Sequence, residues 1–179
     1  MASLIIFVLL AIATKYGWLN KPARVAQSNQ PGLYSVIKDV DGDTIDVDMN
    51  GHTETVRFIG IDTPETHKPN TPVQCYGPEA AAYTKSQVEG RQVRLQADSL
   101  DTNRDRSGRL LRYVYLPDGS LLQDALVSQG YAFAYTQFPF EKKAAIVAEE
   151  QAAKQAGKGL WSACQVTVES NGRKQTNAQ

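Results

Sequence analysis

Val56-Arg57-Phe58-Ile59-Gly60-Ile61-Asp62-Thr63-Pro64-Glu65-Thr66 is the stretch on which the fold turns. Its first half reads as a strand, apolar at Val56, Phe58, Ile59 and Ile61, with Arg57 on the other face of the pleat. Its second half cannot continue a ladder. Pro64 has no N–H to donate and biases Thr63 toward an extended backbone, so Asp62 and Glu65 are presented at a rigid strand end with Arg57 upstream. Two acids and a guanidinium gathered there suit a metal ion and a phosphate.

Outward from that stretch, the pattern continues in both directions. Tyr34–Val40 is β-rich, Asp41-Gly42-Asp43 turns the chain, and Thr44–Met49 alternates polar and apolar residues with period two. Asn50-Gly51 is a hairpin signal leading back into Thr53–Ile61, which completes a three-stranded meander. Downstream, Pro78 opens a helical stretch that reaches Val88 before Gly90. Gln92–Gln96 and Leu110–Leu116 read as two more strands separated by a charged loop. Leu121–Gln129 and Glu141–Ala156 read as helices that stop at Gly130 and Gly157, and Leu160-Trp161 as an apolar plug. Five strands with a helix between the third and fourth predict an α+β fold, mainly β: a five-stranded OB-type barrel with three helices.

The chain has 179 residues and is 42% hydrophobic, enough for one domain with its own core plus tails. We expect that domain to span residues 33–165. Nineteen basic and nineteen acidic residues balance, so affinity for a polyanion must come from local clustering. Residues 1–19 are set apart by the uncharged run Ala2–Thr14, followed by Lys15, Tyr16 and Trp18. At ~1.5 Å per residue the run is some 10 Å short of a ~30 Å hydrocarbon core, which fits a signal peptide better than a full span. An uncleaved membrane anchor stays open as the alternative, for which Lys15, Lys21 and Arg24 after the run would by the positive-inside rule place the domain on the cytoplasmic side; the reading preferred is export, with the folded domain outside the cytoplasm, secreted or membrane-anchored. Residues 20–32 form a polar, proline-containing linker. Residues 166–179 are polar and are expected to be a disordered tail.

The densest acidic run is Asp39-Val-Asp41-Gly-Asp43-Thr-Ile-Asp46-Val-Asp48, and it does not fit an EF-hand loop. Counting from Asp39, the sixth position is Thr44 where glycine is needed, and the twelfth is Asn50 where glutamate is needed. Asp-Gly-Asp-Thr alone reads as a solvated turn. In an adjacent meander, however, Asp43 at the start of strand two lies beside Asp62 at the end of strand three. Those two carboxylates, a backbone carbonyl and waters make a hard-cation site. The loop Asp101–Arg109 carries Arg104, Arg106 and Arg109, and Gly108 permits a turn that would aim Arg109 inward, opposite Arg57. Two guanidiniums, an acid and a divalent cation around one point suit the charge that gathers on a phosphodiester under attack by water.

Taken in order, Val40-Asp-Gly-Asp-Thr44, Arg57, Ile61-Asp-Thr-Pro-Glu-Thr66, Tyr76-Gly-Pro-Glu-Ala80, Asp105-Arg-Ser-Gly-Arg109 and Ala125-Leu-Val-Ser-Gln-Gly130 resemble the staphylococcal nuclease (thermonuclease) family from about Tyr34 to Trp161. The resemblance implies an OB barrel and Ca²⁺-dependent hydrolysis of DNA and RNA to 3′-phosphates. It also implies roles: Asp43, Asp62 and the Thr63 carbonyl as calcium ligands, Glu65 as the base or water-positioning group, and Arg57 and Arg109 on the phosphate. Arg106 and Tyr135 would contact substrate, although Arg106-Ser107 stands where the family archetype has lysine-tyrosine. Single-stranded or otherwise flexible nucleic acid is the expected partner, and a monomer the expected state. The competing readings are a non-catalytic OB-fold module that binds nucleic acid or protein, and a calcium-stabilised surface module. Neither needs Asp43, Arg57, Asp62, Glu65 and Arg109 together.

Cys75 and Cys164 are the only cysteines. A bridge between them would staple the C-terminal helical region to the barrel and close a loop of about 90 residues, stabilising the chain by up to ~4 kcal/mol. Two unpaired thiols are the alternative.

Overall fold

The computed structural model describes residues 32–69 and 71–179. The apolar segment, and the linker up to residue 31, lie outside the described residues. Five strands close a barrel in the order β1-β2-β3-β6-β5. They are β1 (Leu33–Asp41), β2 (Thr44–Met49), β3 (His52–Phe58), β5 (Gln92–Gln96) and β6 (Leu110–Tyr115), with helix α1 (Gly77–Val88) between the third and fourth barrel strands. This is the OB arrangement expected from the sequence. Asn50 and Gly51, with φ of 59° and 86°, make the tight β2–β3 turn, as the twist of a two-residue hairpin requires. The seam is parallel: Val56, Arg57 and Phe58 of β3 pair with Leu110, Leu111 and Arg112 of β6.

Period-two alternation fills the barrel. Ile45, Val47, Val56, Phe58, Val93, Tyr113 and Val114 are almost wholly buried, each large apolar side chain contributing about 1.5–3 kcal/mol. Helix α2 (Leu122–Ser128) adds Leu122 and Leu126 to the same core, and α3 (Lys143–Gln155) adds Ile146. The buried face of α3 is Ile146, Glu150 and Ala153, whereas Ala145, Ala148, Ala152 and Ala156 lie on the exposed side. The one-turn helix α4 (Leu160–Ala163) buries Leu160 and sets Trp161 edge-on against Phe133, with ring centroids 5.4 Å apart.

Two regions depart from the sequence reading. Strand β3 ends at Phe58, not Ile61, because the chain bends at Gly60. There φ is +77° and a Cβ would stand 2.6 Å from the Phe140 ring. Beyond the bend, β4 (Ile61–Asp62) pairs with β7 (Phe133–Ala134) in a sheet of its own. The second departure is the tail. Residues expected to be disordered form an antiparallel hairpin, β8 (Val166–Val168) and β9 (Lys174–Thr176). Its own apolar content cannot hold it, and tertiary anchors do so instead. Lys174 Nζ sits 2.8 Å from buried Glu150, Thr176 donates to the Cys75 carbonyl, and the Cys75 amide donates to Asn177. Cys75 and Cys164 are joined by a disulfide just before β8.

Candidate active site

The barrel brings the acids together at one end. Asp43 lies between β1 and β2, where the turn passes so close to Thr63 that a Cβ on Gly42 would be 2.8 Å from the Thr63 hydroxyl. Glycine therefore lets the Thr63 backbone reach the acid, and its amide donates to Asp43 Oδ2 at 3.0 Å. Asp62 comes from β4. The Arg57 guanidinium, from β3, spans both carboxylates: Nη1 is 2.9 Å from Asp43 Oδ2 and Nη2 is 2.8 Å from Asp62 Oδ1. Nη1 also donates to the Ile61 carbonyl at 2.9 Å, fixing the bend after β3. Asp43 and Asp62 are 6% and 9% exposed, so removing Arg57 would leave two poorly hydrated charges side by side, a loss of about 3–5 kcal/mol.

A third acid stands beside them. Asp41 accepts hydrogen bonds from the Gly42 amide and the Thr66 hydroxyl. Burial, and next the charge of Asp43, push its carboxyl up to about 6. Burial likewise raises Asp62, against the pull of Arg57. Burial outweighs the neighbouring charges in both shifts.

Glu65 follows Pro64 on the loop after β4. Its Oε1 accepts the backbone amides of Thr66, His67 and Lys68 at 3.0–3.1 Å, while its own amide donates to Gln74 Oε1. One oxygen is pinned, and among the described residues the other takes no hydrogen bond. Arg109 enters after the turn at Gly108, one residue before Leu110, whose Cα pairs with Val56 on the seam. Its amide and Nε donate to Asp105 at 3.0 and 2.7 Å. Burial works against the Asp105 charge, but these bonds outweigh it and hold the carboxyl below its usual range. Arg104 does different work: it grips Glu54 through two bonds of 2.8 and 2.9 Å and the Gly108 carbonyl at 2.7 Å, which shapes the loop.

Asp43, Arg57, Asp62 and Thr63 are therefore in contact, Glu65 lies on the loop that follows, near enough to Asp41 to bear on its charge, and Arg109 is held beside the seam on Asp105. The structure places Arg57 on the acids. Arg106 is exposed in its loop. Tyr135 follows β7, its amide donating to Gly60 and its ring 6.1 Å from that of Phe138, which is 55% exposed. Asp41, Gly42 and Gln74 were not singled out from sequence as site-shaping, although Asp41 and Gly42 sit inside the quoted acidic motif. Arg173 was missed altogether. Its Nε lies 3.0 Å from Asp62 Oδ2, and no sequence pattern marks it.

Residues 55–163 match the model of the family described as staphylococcal nuclease homologues, a span that contains Arg57, Asp62, Glu65 and Arg109. The chain belongs to the staphylococcal nuclease family. It is 43% identical over 145 residues to a thermonuclease of Staphylococcus hyicus, covering 79% of this chain and 82% of that one. A thermonuclease of Staphylococcus intermedius is 44% identical over 125 residues, covering 70% and 71%. Endonuclease YncB of Bacillus subtilis is 43% identical over 138 residues, covering 75% and 64%.

Asp43 and Asp62 are hard oxygen donors. Among the described residues no three acid, histidine or cysteine side chains are placed to hold a metal ion, so Asp43 and Asp62 would need backbone and water oxygens to complete a shell such as calcium accepts. The Thr63 hydroxyl is buried without a hydrogen-bond partner, a polar atom at the acids still short of one.

Proposed function

We propose that this nuclease hydrolyses DNA and RNA with Ca²⁺ held by Asp43, Asp62 and the Thr63 carbonyl, leaving 3′-phosphates. The observation that supports it best is Glu65, fixed by three amides with one oxygen free, next to two buried acids that share a single guanidinium. Bound calcium would draw charge from the attacked phosphate. Glu65 takes a proton from the attacking water through its free oxygen. Arg109, with Nε on Asp105, turns its terminal nitrogens to the phosphoryl oxygens, and Arg57, held on the acids, adds its positive charge beside them. Water oxygen bonds to phosphorus, the bond to the 5′-oxygen breaks, and that oxygen leaves with a proton from solvent. Arg106 and Tyr135 line the approach, Tyr135 as a base-stacking surface.

Histidine and cysteine contribute nothing to the donor set, so zinc has no soft ligand to favour it. Magnesium's tight octahedron suits the loose oxygen set poorly. An oxidising compartment is part of the proposal, supported by the Cys75–Cys164 bridge. No helix among the described residues is long and apolar enough to cross a membrane. The test is hydrolysis of single-stranded DNA and of RNA in millimolar calcium, in the same magnesium, and in chelator, with the product ends identified. Calcium should support cleavage to 3′-phosphates, and magnesium little. Equal rates with both metals, or full activity in chelator, would refute the metal reading; tight binding without cleavage would favour a non-catalytic module.

A further inference from the structure

The family match ends at residue 163, yet the chain runs on into the β8–β9 hairpin and returns to the acids through Arg173. We propose that Arg173 and the divalent cation are rival partners of Asp62, so that the C-terminal hairpin sets how tightly this site takes its metal. The inference rests on the calcium reading above.

Both oxygens of Asp62 are engaged by guanidiniums, Oδ1 by Arg57 at 2.8 Å and Oδ2 by Arg173 at 3.0 Å. The charges of Asp43 and Asp62 are thereby matched by Arg57 and Arg173. An incoming divalent ion meets a neutral pair of ion pairs, and must either displace a guanidinium from Asp62 or sit against its positive charge. Either route weakens binding, and by linkage a bound ion weakens the Arg173–Asp62 contact equally.

Arg173 is the partner built to yield. Arg57 is 12% exposed at its side chain and tied to the backbone at Ile61, whereas Arg173 is 38% exposed and can swing to water. The hairpin keeps its place without that contact. Lys174 stays on Glu150, Asn177 and Thr176 on Cys75, the Gln179 amide on the Val73 carbonyl, and the Asn171 carbonyl on Gln137. Arg173 is therefore delivered to Asp62 by anchors that do not depend on it, and losing its side chain should leave the fold intact.

Calorimetric titration of calcium alone into the full-length chain, without nucleic acid, tests this directly. Arg173→Gln should lower the calcium dissociation constant by roughly three- to twentyfold, the scale of one charge-assisted contact at a half-exposed group. Arg91→Gln, which removes the same charge from an exposed position away from the acids, should leave it unchanged. The melting-temperature rise produced by saturating calcium should be larger in Arg173→Gln than in wild type. Equal or weaker calcium binding by Arg173→Gln overturns the rivalry, as does equal tightening by Arg91→Gln. Absence of calcium binding in wild type and Arg173→Gln alike overturns the calcium reading itself.

Discussion

Cutting the Cys75–Cys164 link by the double substitution Cys75→Ser and Cys164→Ser should cost the fold more than any other surface change. The cysteines are 89 positions apart. With the separation of 89 positions put into the loop-closure relation, the chain entropy removed from the unfolded ensemble is worth about 4.6 kcal/mol at 25 °C, somewhat above the ~4 kcal/mol expected from the sequence. Both positions are half-buried, so serine adds no fully buried polar group to the native state. For a unit of this size each kcal/mol is worth roughly 2–4 °C, so the melting temperature should fall by roughly 9–18 °C. Urea unfolding, followed by the fluorescence of Trp161 against Phe133, gives the free energy and also the slope. The slope should rise in the double variant, because an unlinked chain exposes more surface when it unfolds. A midpoint and slope both equal to wild type would refute the loop-closure reasoning.

Glu65→Gln and Arg109→Ala should each lower the single-stranded DNA cleavage rate by at least ~10²-fold while melting near wild type, since neither side chain is part of the buried core; near-normal turnover in either would refute the mechanism. Glu149 has a buried, unpartnered Oε2, and burial, then the charge of Asp124, raises its carboxyl from 4.5 to about 7. The folded chain holds that proton where the unfolded chain has lost it, so stability falls as pH rises through this window. Glu149→Gln should then gain over wild type at about pH 8 and not at about pH 4, read from urea midpoints, and an equal gain at both would refute it. Gly42→Ala must push Thr63 away, so calorimetry should find calcium binding at least several-fold weaker; unchanged affinity would show that the approach to Thr63 does not shape the site.

The barrel was legible because its strands are local and patterned. Thr44–Met49 alternates cleanly, Asn50-Gly51 can hardly do anything but turn, and Pro78 and Gly90 bracket α1. The acids were legible as a pair because Asp43 stands just before β2 and Asp62 follows β3 within a few residues, although Asp62 sits on β4 and not on the end of β3 as the sequence reading had it. Strand β4 was not. Two residues carry no period, and Ile61-Asp62 separates from β3 at Gly60, whose positive φ and missing Cβ leave room for Phe140, eighty positions downstream. The hairpin failed for another reason. Val166-Thr-Val168 and Lys174-Gln-Thr176 flank Asn171-Gly172, a usable turn signal, but the composition is that of a solvated tail. What orders it is distant: a lysine for the buried Glu150 and backbone partners at Cys75. Arg173 was invisible in consequence, because its position opposite Asp62 depends on that docking.

The parallel seam between β3 and β6 divides the candidate active site by the sequence distance of its contacts. Asp43, Arg57 and Asp62 are joined through one short hairpin and the bend that follows it, contacts between near neighbours in the chain. Arg109 is added only when β6 closes against β3, a pairing that spans more than fifty positions and so carries the greater loop-closure entropy. A partial opening that unzips the seam first would withdraw Arg109 and leave the acids and Arg57 in register. Cleavage would then disappear at a milder denaturant concentration than calcium binding, and the interval between the two losses would report how far the seam opens independently of the β2–β3 hairpin.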